Sequence, residues 1–181
     1  MKSEMADDRT SLLYSRLLRL RDRLRVAGDR LVLAESCTAG LVAAELGNIP
    51  GISDFLCGSM VVYRTPTKTA WLGISSVILE DPAHGPVSAE VTVALAKAIE
   101  KTPEATISGA ITGHLGPGSP PLMDGQIFCA FARRSVHADK CDLESFKLSS
   151  PPPSNSEDFT RRAQRQKEAA LAMLGFIERK I

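Results

Sequence analysis

The sequence predicts a single layered α/β domain, and three observations carry that expectation. Helix-like and strand-like segments intermix along 181 residues with no internal repeat. Leu31-Val32-Leu33-Ala34 is a short, continuous apolar run, as expected of a strand buried on both faces. The composition, 44% hydrophobic and 24% charged, suits a chain long enough to build one core.

The same quantities exclude several classes. Formal net charge is +1, so nothing suggests a nucleic-acid or membrane partner. No apolar stretch reaches the roughly 18 residues of a spanning helix, and the polar N-terminus lacks a signal core, so a cytoplasmic location is expected. Cys37, Cys57, Cys129 and Cys141 lie far apart without a C-x-x-C pair, which suits reduced thiols better than a disulfide framework or a zinc site. His84, His114 and His137 are scattered and none pairs with a carboxylate at metal-ligand spacing, so no metal and no cofactor are expected.

The elements follow in order. Residues 1–9 are expected to be a flexible N-terminus, and Thr10 reads as a helix cap. Leu13, Leu17, Leu20 and Leu24 then recur at helical spacing until Gly28. The other face carries Arg16, Arg19, Arg21, Arg23 and Arg25, and reads as a solvated face diluted by Asp22 and Asp29. After the Leu31 strand a short helix ends near Gly47, and Ile49-Pro50-Gly51 is a turn. Gly58 to Tyr63 reads as a strand. Thr65 is a candidate cap for a helix that Pro66 starts and Gly73 closes, with Lys68 in its first turn. Pro82 to Pro86 is loop, and Ser88 caps a helix whose apolar face is Val91, Leu95, Ala98 and Ile99. Strands are expected at Ala105–Ile111, Gln126–Ala132 and Leu143–Leu148, with a Gly/Pro-rich loop over Thr112–Gly125. Ser149 to Ser156 is a polar, proline-stiffened connector to a last helix from Glu157 to Arg179, with Ala163, Ala170, Leu174 and Ile177 facing inward.

Three segments at expected strand ends carry chemistry, because ligands of open α/β sheets bind there. They are Glu35-Ser36-Cys37-Thr38, Tyr63 to Lys68, and Thr112 to Gly118. Ser36 needs a base to act as a nucleophile, and no His or Asp follows in a hydrolase pattern. The segment is not a G-x-S-x-G elbow either, since Ala34 and Thr38 occupy the glycine positions. Lys68 is the best base if burial lowers its pKa, and a helix N-terminus also disfavours its charge. Tyr63 could relay a proton. The competing roles stand beside these: Ser36 as an ordinary helix cap, Lys68 as a surface lysine. Cys37 is either a second nucleophile or a small buried residue. The Thr112 to Gly118 loop is no Walker motif, since Ser119-Pro120 follows, but its amides could wrap a phosphate or carboxamide. His114 reads as a loop residue.

Leu33-Ala34-Glu35-Ser36-Cys37-Thr38-Ala39-Gly40-Leu41-Val42 closely resembles the signature of the CinA C-terminal domain family, which includes stand-alone nicotinamide mononucleotide (NMN) deamidases. Further segments resemble the family in the same order: Pro50-Gly51-Ile52-Ser53, Gly58 to Tyr63 with Lys68 five residues on, Leu72-Gly73-Ile74, His84-Gly85-Pro86-Val87-Ser88, and Thr112-Gly113 with Gly116-Pro117-Gly118. The likeness runs over about residues 10–175. It implies a three-layer α/β/α sandwich with a mixed sheet and a metal-independent amidohydrolase converting NMN to nicotinic acid mononucleotide and ammonia, in pyridine nucleotide salvage. It implies Ser36 as nucleophile and Lys68 as base, with Tyr63 and Thr112 assisting. Glu35, Cys37, Thr38, Ala39, Gly40 and Gly113 would line the nucleotide pocket. The chain departs from the family pattern at Arg64-Thr65-Pro66-Thr67, at His114-Leu115, at Met123-Asp124-Gly125 and at Ser156-Glu157-Asp158-Phe159. The last replaces a Gly-Asp-Arg step, so a phosphate contact made there is missing or moves to Arg161, Arg162 or Arg165; Arg161 is taken as the site residue. A homodimer or higher homo-oligomer is expected, without the molybdopterin-binding-like N-terminal domain of longer relatives. Two alternatives share the fold: a nucleotide- or partner-binding module without chemistry, and an amidase for another carboxamide.

Overall fold

The structure is a computed structural model that describes residues 2–134, 140–155 and 157–181, with side chains from Tyr14 onward. Its centre is strand β1 (Leu31–Glu35), buried at every position. β1 lies between two parallel neighbours, β2 (Leu56–Val61) and β3 (Ile107–Gly113). β4 (Gln126–Arg133) pairs antiparallel with β3, and β5 (Cys141–Lys147) antiparallel with β4. The sheet is therefore mixed, in the order β2-β1-β3-β4-β5.

Alternation along the strands divides the core in two. Leu31, Leu33, Ile107, Ile111, Ile127 and Cys129 face one layer, made by helices α1 (Lys2–Ala27), α2 (Leu41–Gly47) and α6 (Phe159–Lys180). Val32, Ala34, Ala110 and Ala130 face the other, with α3 (Thr65–Leu72), α4 (Ser76–Leu79) and α5 (Ala89–Ile99). Small residues on that face let α5 lie close, and Ser108 Oγ donates to the Ala96 carbonyl at 2.8 Å. The three-layer α/β/α sandwich with a mixed sheet is thus the observed fold.

Several boundaries differ from the sequence reading. α1 begins at Lys2, so Thr10 lies inside it and not at its start. No Gly or Pro occurs before Gly28 to stop the helix. β2 starts at Leu56, two residues before the expected Gly58. Arg64, in extended conformation, is the N-cap of α3, which leaves Thr65 in its first turn with Pro66 beside it. α4 was not anticipated; Ser75 caps it by accepting from Val77 N–H. β3 runs on to Gly113, so Thr112 is a strand residue and not a loop residue. α6 starts at Phe159 because Asp158 accepts from Arg161 N–H. On α6 Ala163 is exposed, while Arg165, Ala169 and Met173 join Ala170, Leu174 and Ile177 inside. On α5 Ser88 caps as expected, and Thr92 and Ala96 are buried beside Val91 and Leu95. All four cysteines are free thiols. The arginine face of α1 is ion-paired: Arg16 and Arg19 with Glu178, Arg21 and Arg25 with Asp22. His84 does sit beside a carboxylate, Asp81 Oδ2 at 3.4 Å. His137 and Ser156 lie outside the described residues. Among the described residues no helix is long and apolar enough to cross a membrane.

Candidate active site

β1 delivers Ser36 to the C-terminal edge of the sheet, and Ser36 N–H still donates to the Ile111 carbonyl at 3.1 Å. The chain then turns sharply. Ala39 (φ 53°) and Gly40 (φ 96°) both take left-handed backbone before α2 begins. A glycine suits the second position, where any side chain would be strained and would also press on Val61 at 3.4 Å. Gly40, not Ser36, is the N-cap of α2, and having no side chain it cannot cap the helix itself. The cap role weighed for Ser36 is therefore excluded.

Ser36 Oγ instead accepts a hydrogen bond from Lys68 Nζ at 3.2 Å. Ser36 is 6% exposed and Lys68 2%, so both are withdrawn from water. Burial lowers the Lys68 pKa below its ordinary value, slightly opposed by the nearby Cys37 thiol. Among the described residues no carboxylate pairs with this amine, which leaves desolvation to favour its neutral form. Surface lysine is thus excluded for Lys68.

Thr112 follows Ile111, which is in register with Glu35, so it stands beside Ser36 on the adjacent strand. It is fully buried. Thr92 Oγ1 donates its proton to the Ser88 carbonyl at 2.6 Å, so in the 2.7 Å contact between the two threonines Thr112 is the donor. The N-cap of α5 thereby orients a hydroxyl at the strand end.

Glu35 does something other than line a pocket. It is 0% exposed and its carboxylate accepts from five donors: Thr38 Oγ1, Gly40 N–H and Val42 N–H on Oε2, Ala43 N–H and Ser59 Oγ on Oε1, at 2.8–3.0 Å. It holds the turn that carries Ser36, supplies the acceptor for the first turn of α2, and ties β1 to β2. The expected substrate contact at Glu35 is corrected to a scaffold. Thr38 is similarly engaged and buried, and the Cys37 and Thr38 carbonyls both accept from Gln166 Nε2 of α6, at 3.3 and 3.0 Å. Burial pushes the Cys37 thiol up to about 12, so it is no thiolate and the nucleophile reading fails for it. Gly113 is a position of close approach: a Cβ there would meet Ile127 at 2.5 Å and Cys37 Sγ at 3.1 Å.

The mouth of the site is built by residues far apart in sequence. Tyr63 is half-exposed, and its hydroxyl accepts from Arg162 Nη2 at 2.6 Å; the same guanidinium donates to the Gly116 carbonyl. Arg161, the position expected to touch substrate, is exposed and its guanidinium is engaged by Asp158 and the Pro152 carbonyl. Arg165 is 3% exposed and grips Asp124 with two bonds of 2.8 Å, with Nε on the Ser150 carbonyl. Asp124, part of one departure from the family pattern, is thus engaged by Arg165, one of the positions considered for a moved phosphate contact. The loop after Gly113 is tied down at both ends, with His114 N–H on the Gln126 carbonyl, where β4 begins, and Gly116 N–H on Ser119 Oγ at 3.0 Å. His114 is part-buried, which lowers its pKa, and it lines a cleft of about 580 Å³ with Ser88, Val87, Met123 and Phe128. Among the described residues no cluster of His, Cys, Asp and Glu side chains is placed to hold a metal ion.

Sequence reasoning missed Gln166 as a site residue, and named Arg162 only as one of three alternatives, with Arg161 taken in its place. Both lie one helical turn apart on α6 and nothing local distinguishes them from the exposed arginines around them. Only the packing of α6 against the Ser36 turn does.

A three-layer α/β domain with a buried Ser–Lys pair at the strand ends is the class that fold and site define. A family model described as the CinA C-terminal domain matches residues 15–171, and the chain belongs to that family. Its relatives include a CinA-like protein of Myxococcus xanthus, 37% identical over 117 residues, which are 64% of this chain and 27% of the relative. A CinA-like protein of Chlorobium phaeovibrioides is 38% identical over 129 residues, 70% of this chain and 30% of that one. The matched region is thus under a third of these curated relatives' length. Similar solved structures include competence/damage inducible protein CihA from Agrobacterium tumefaciens (TM-score 0.73, 24% identity, 91% of this chain and 94% of that one). A CinA superfamily protein from Escherichia coli has TM-score 0.72 at 23% identity, covering 91% and 90%. These structural likenesses carry the fold.

Proposed function

We propose that this domain is an amidohydrolase that converts NMN and water to nicotinic acid mononucleotide and ammonia. The observation that carries the reading is the 3.2 Å bond between Lys68 Nζ and Ser36 Oγ, with the amine buried away from any countercharge among the described residues.

In this reading the neutral Lys68 amine accepts the Ser36 proton as Oγ attacks the carboxamide carbon. The tetrahedral oxyanion would take hydrogen bonds from the Cys37 and Thr38 N–H groups, since those of Ala39, Gly40 and Leu41 are engaged by the Ser36 carbonyl, the Glu35 carboxylate and the Thr38 carbonyl; such a bond is worth roughly 3–4 kcal/mol when well placed. Lys68, now ammonium, returns its proton to the departing nitrogen, and ammonia leaves an acyl-Ser36 ester. A water then attacks that ester, giving its proton to Lys68, and the carboxylate departs as Ser36 is reprotonated. Thr112, its hydroxyl oriented by Thr92, would assist beside Ser36.

The test is ammonia release from NMN by the pure protein, with Ser36→Ala and Lys68→Met as controls. Loss of release in both variants, each still folded, is expected; unchanged release in Ser36→Ala removes the mechanism.

A further inference from the structure

We propose that Thr92 is a positioning residue that holds Thr112 as a pure hydrogen-bond acceptor toward the Lys68 ammonium formed during turnover, a role that deepens the amidohydrolase reading and rests on it. The direction of two protons decides it. The Ser88 carbonyl can only accept, so Thr92 gives it its hydroxyl proton at 2.6 Å, and Thr112 must give its own to Thr92 at 2.7 Å. Thr112 therefore has no proton left for the site and offers it only lone pairs. Those lone pairs lie beside the Ser36–Lys68 pair. Glu35 is in register with Ile111, which puts Thr112 opposite Ser36 on the neighbouring parallel strand, about 4.8 Å away across the ladder. Ala34 and Ala110 face the layer of α3 and α5, so by alternation Ser36 and Thr112, two residues on, share that face. It is also the face from which Lys68 arrives on α3 to meet Ser36 Oγ. When Lys68 takes the Ser36 proton it becomes an ammonium with three N–H donors in a place closed to water. Among the described residues no carboxylate acts on it. α3 carries no other charge, Glu35 is filled by its five donors, the Cys37 thiol stays protonated, Arg162 of α6 is itself a cation, and Glu90 of α5 is exposed. The ammonium needs a buried acceptor of fixed direction, and Thr112 supplies one while Thr92 keeps its proton. A Thr112 hydroxyl free to rotate would instead donate to the neutral amine and occupy the lone pair that takes the Ser36 proton.

The test compares Thr92→Val, which keeps the shape and loses the hydroxyl, with Thr92→Ser, which keeps the hydroxyl. The Ser88 carbonyl also accepts from the backbone N–H of Thr92 at 3.1 Å, a bond that valine retains, so the start of α5 survives the change. Two quantities are read: steady-state ammonia release from NMN, and the NMR titration of the lysine ε-carbon signals, Lys68 being identified by its absence in Lys68→Met. Thr92→Val should lower kcat about 10–150-fold, the worth of one hydrogen bond to a charged group, with KM held within about twofold. It should also move the Lys68 midpoint to lower pH, since the ammonium loses its acceptor. Thr92→Ser should restore both. If Thr92→Val does not fold, Thr92→Ala carries the same comparison. A fall in kcat with the Lys68 midpoint unmoved shows packing alone and overturns the role, as does an unchanged kcat or an equal loss in Thr92→Ser. The midpoint is read without substrate, so the two proposals fail separately. A shifted midpoint in Thr92→Val with no ammonia release by the wild type keeps the contact from Thr92 through Thr112 to Lys68 and removes the amidase reading; ammonia release with the midpoint unmoved does the reverse.

Discussion

Replacing Glu35 with Gln changes one atom in a fully buried group and should cost this domain much of its stability. Three backbone N–H groups and two hydroxyls donate to the carboxylate. A Gln amide can accept with one end only. With Nε2 in the place of Oε1, Ser59 can rotate its hydroxyl to accept, but Ala43 N–H is left facing a donor. Such an orphaned buried N–H costs about 1–3 kcal/mol. The bonds from Thr38, Gly40 and Val42 survive but lose the charge, at about 1 kcal/mol each. With the amide flipped, Gly40 and Val42 N–H are both orphaned, which is worse. The expected loss is therefore about 4–6 kcal/mol, against total stabilities of about 5–15 kcal/mol for such domains. Urea unfolding followed by far-UV circular dichroism, with Glu35→Gln against wild type, measures it directly. A loss below about 1 kcal/mol together with a raised KM for NMN would show that Glu35 contacts substrate and that the scaffold argument is wrong.

Lys68→Met should abolish turnover and yet stabilise the fold at neutral pH. Burial holds the wild-type Lys68 pKa below its unfolded value, so between the two pKa values the unfolded chain binds the extra proton and wild-type stability rises with pH; the Met variant, compared by thermal melts across pH, should lose that slope. By the same shift, kcat/KM of the wild type should rise with pH through the folded Lys68 pKa. Hydrogen bonds from Ser149 and Ser150 outweigh partial burial and bring the Glu168 carboxyl down to about 2, and the Arg165 fork lowers that of Asp124. Both contribute stability above their ordinary carboxyl range that is lost as acid protonates the folded forms, so Asp124→Asn, which also leaves Arg165 buried and unpaired, should cost about 3 kcal/mol at pH 7 and flatten the acid limb in urea titrations. Gln166→Ala should lower stability by about 1–2 kcal/mol and lower kcat on NMN more than it raises KM, since it frees two carbonyls behind the nucleophile without touching the mouth; a pure KM effect would contradict the positioning role.

Legibility followed the range of the interaction. β1 and α5 were readable because their signals are local: an unbroken apolar run in one, Ser88 ahead of a 3.6-residue pattern in the other. Ser36 and Lys68, 32 residues apart, were readable as a pair through chemistry, because a hydroxyl needs a base and a lysine at a helix start can be one. Glu35 was misread because its donors only assemble when the turn closes and Ser59 arrives on β2, 24 residues on. The Asp124–Arg165 fork spans 41 residues of loop and helix, and no spacing announces it. Telling Arg161, Arg162 and Arg165 apart required the rotation of α6, which is set by Ala169, Met173 and Phe176 packing on the sheet. The early start of α1 and the single turn of α4 escaped for lesser reasons, the first for want of a stop signal and the second for brevity.

Arg162 and Gln166 stand four residues apart on one face of α6, the first on Tyr63 and Gly116, the second on the carbonyls of Cys37 and Thr38. The helix therefore works as a stiff connecting rod between the rim of the site and the back of the nucleophile. A pull at the rim that shifts the start of α6 by a few tenths of an ångström is transmitted to the Ser36 turn without passing through solvent or a flexible loop. The rim at Tyr63 and Gly116 and the back of the Ser36 turn are thus tied together by a single helical turn.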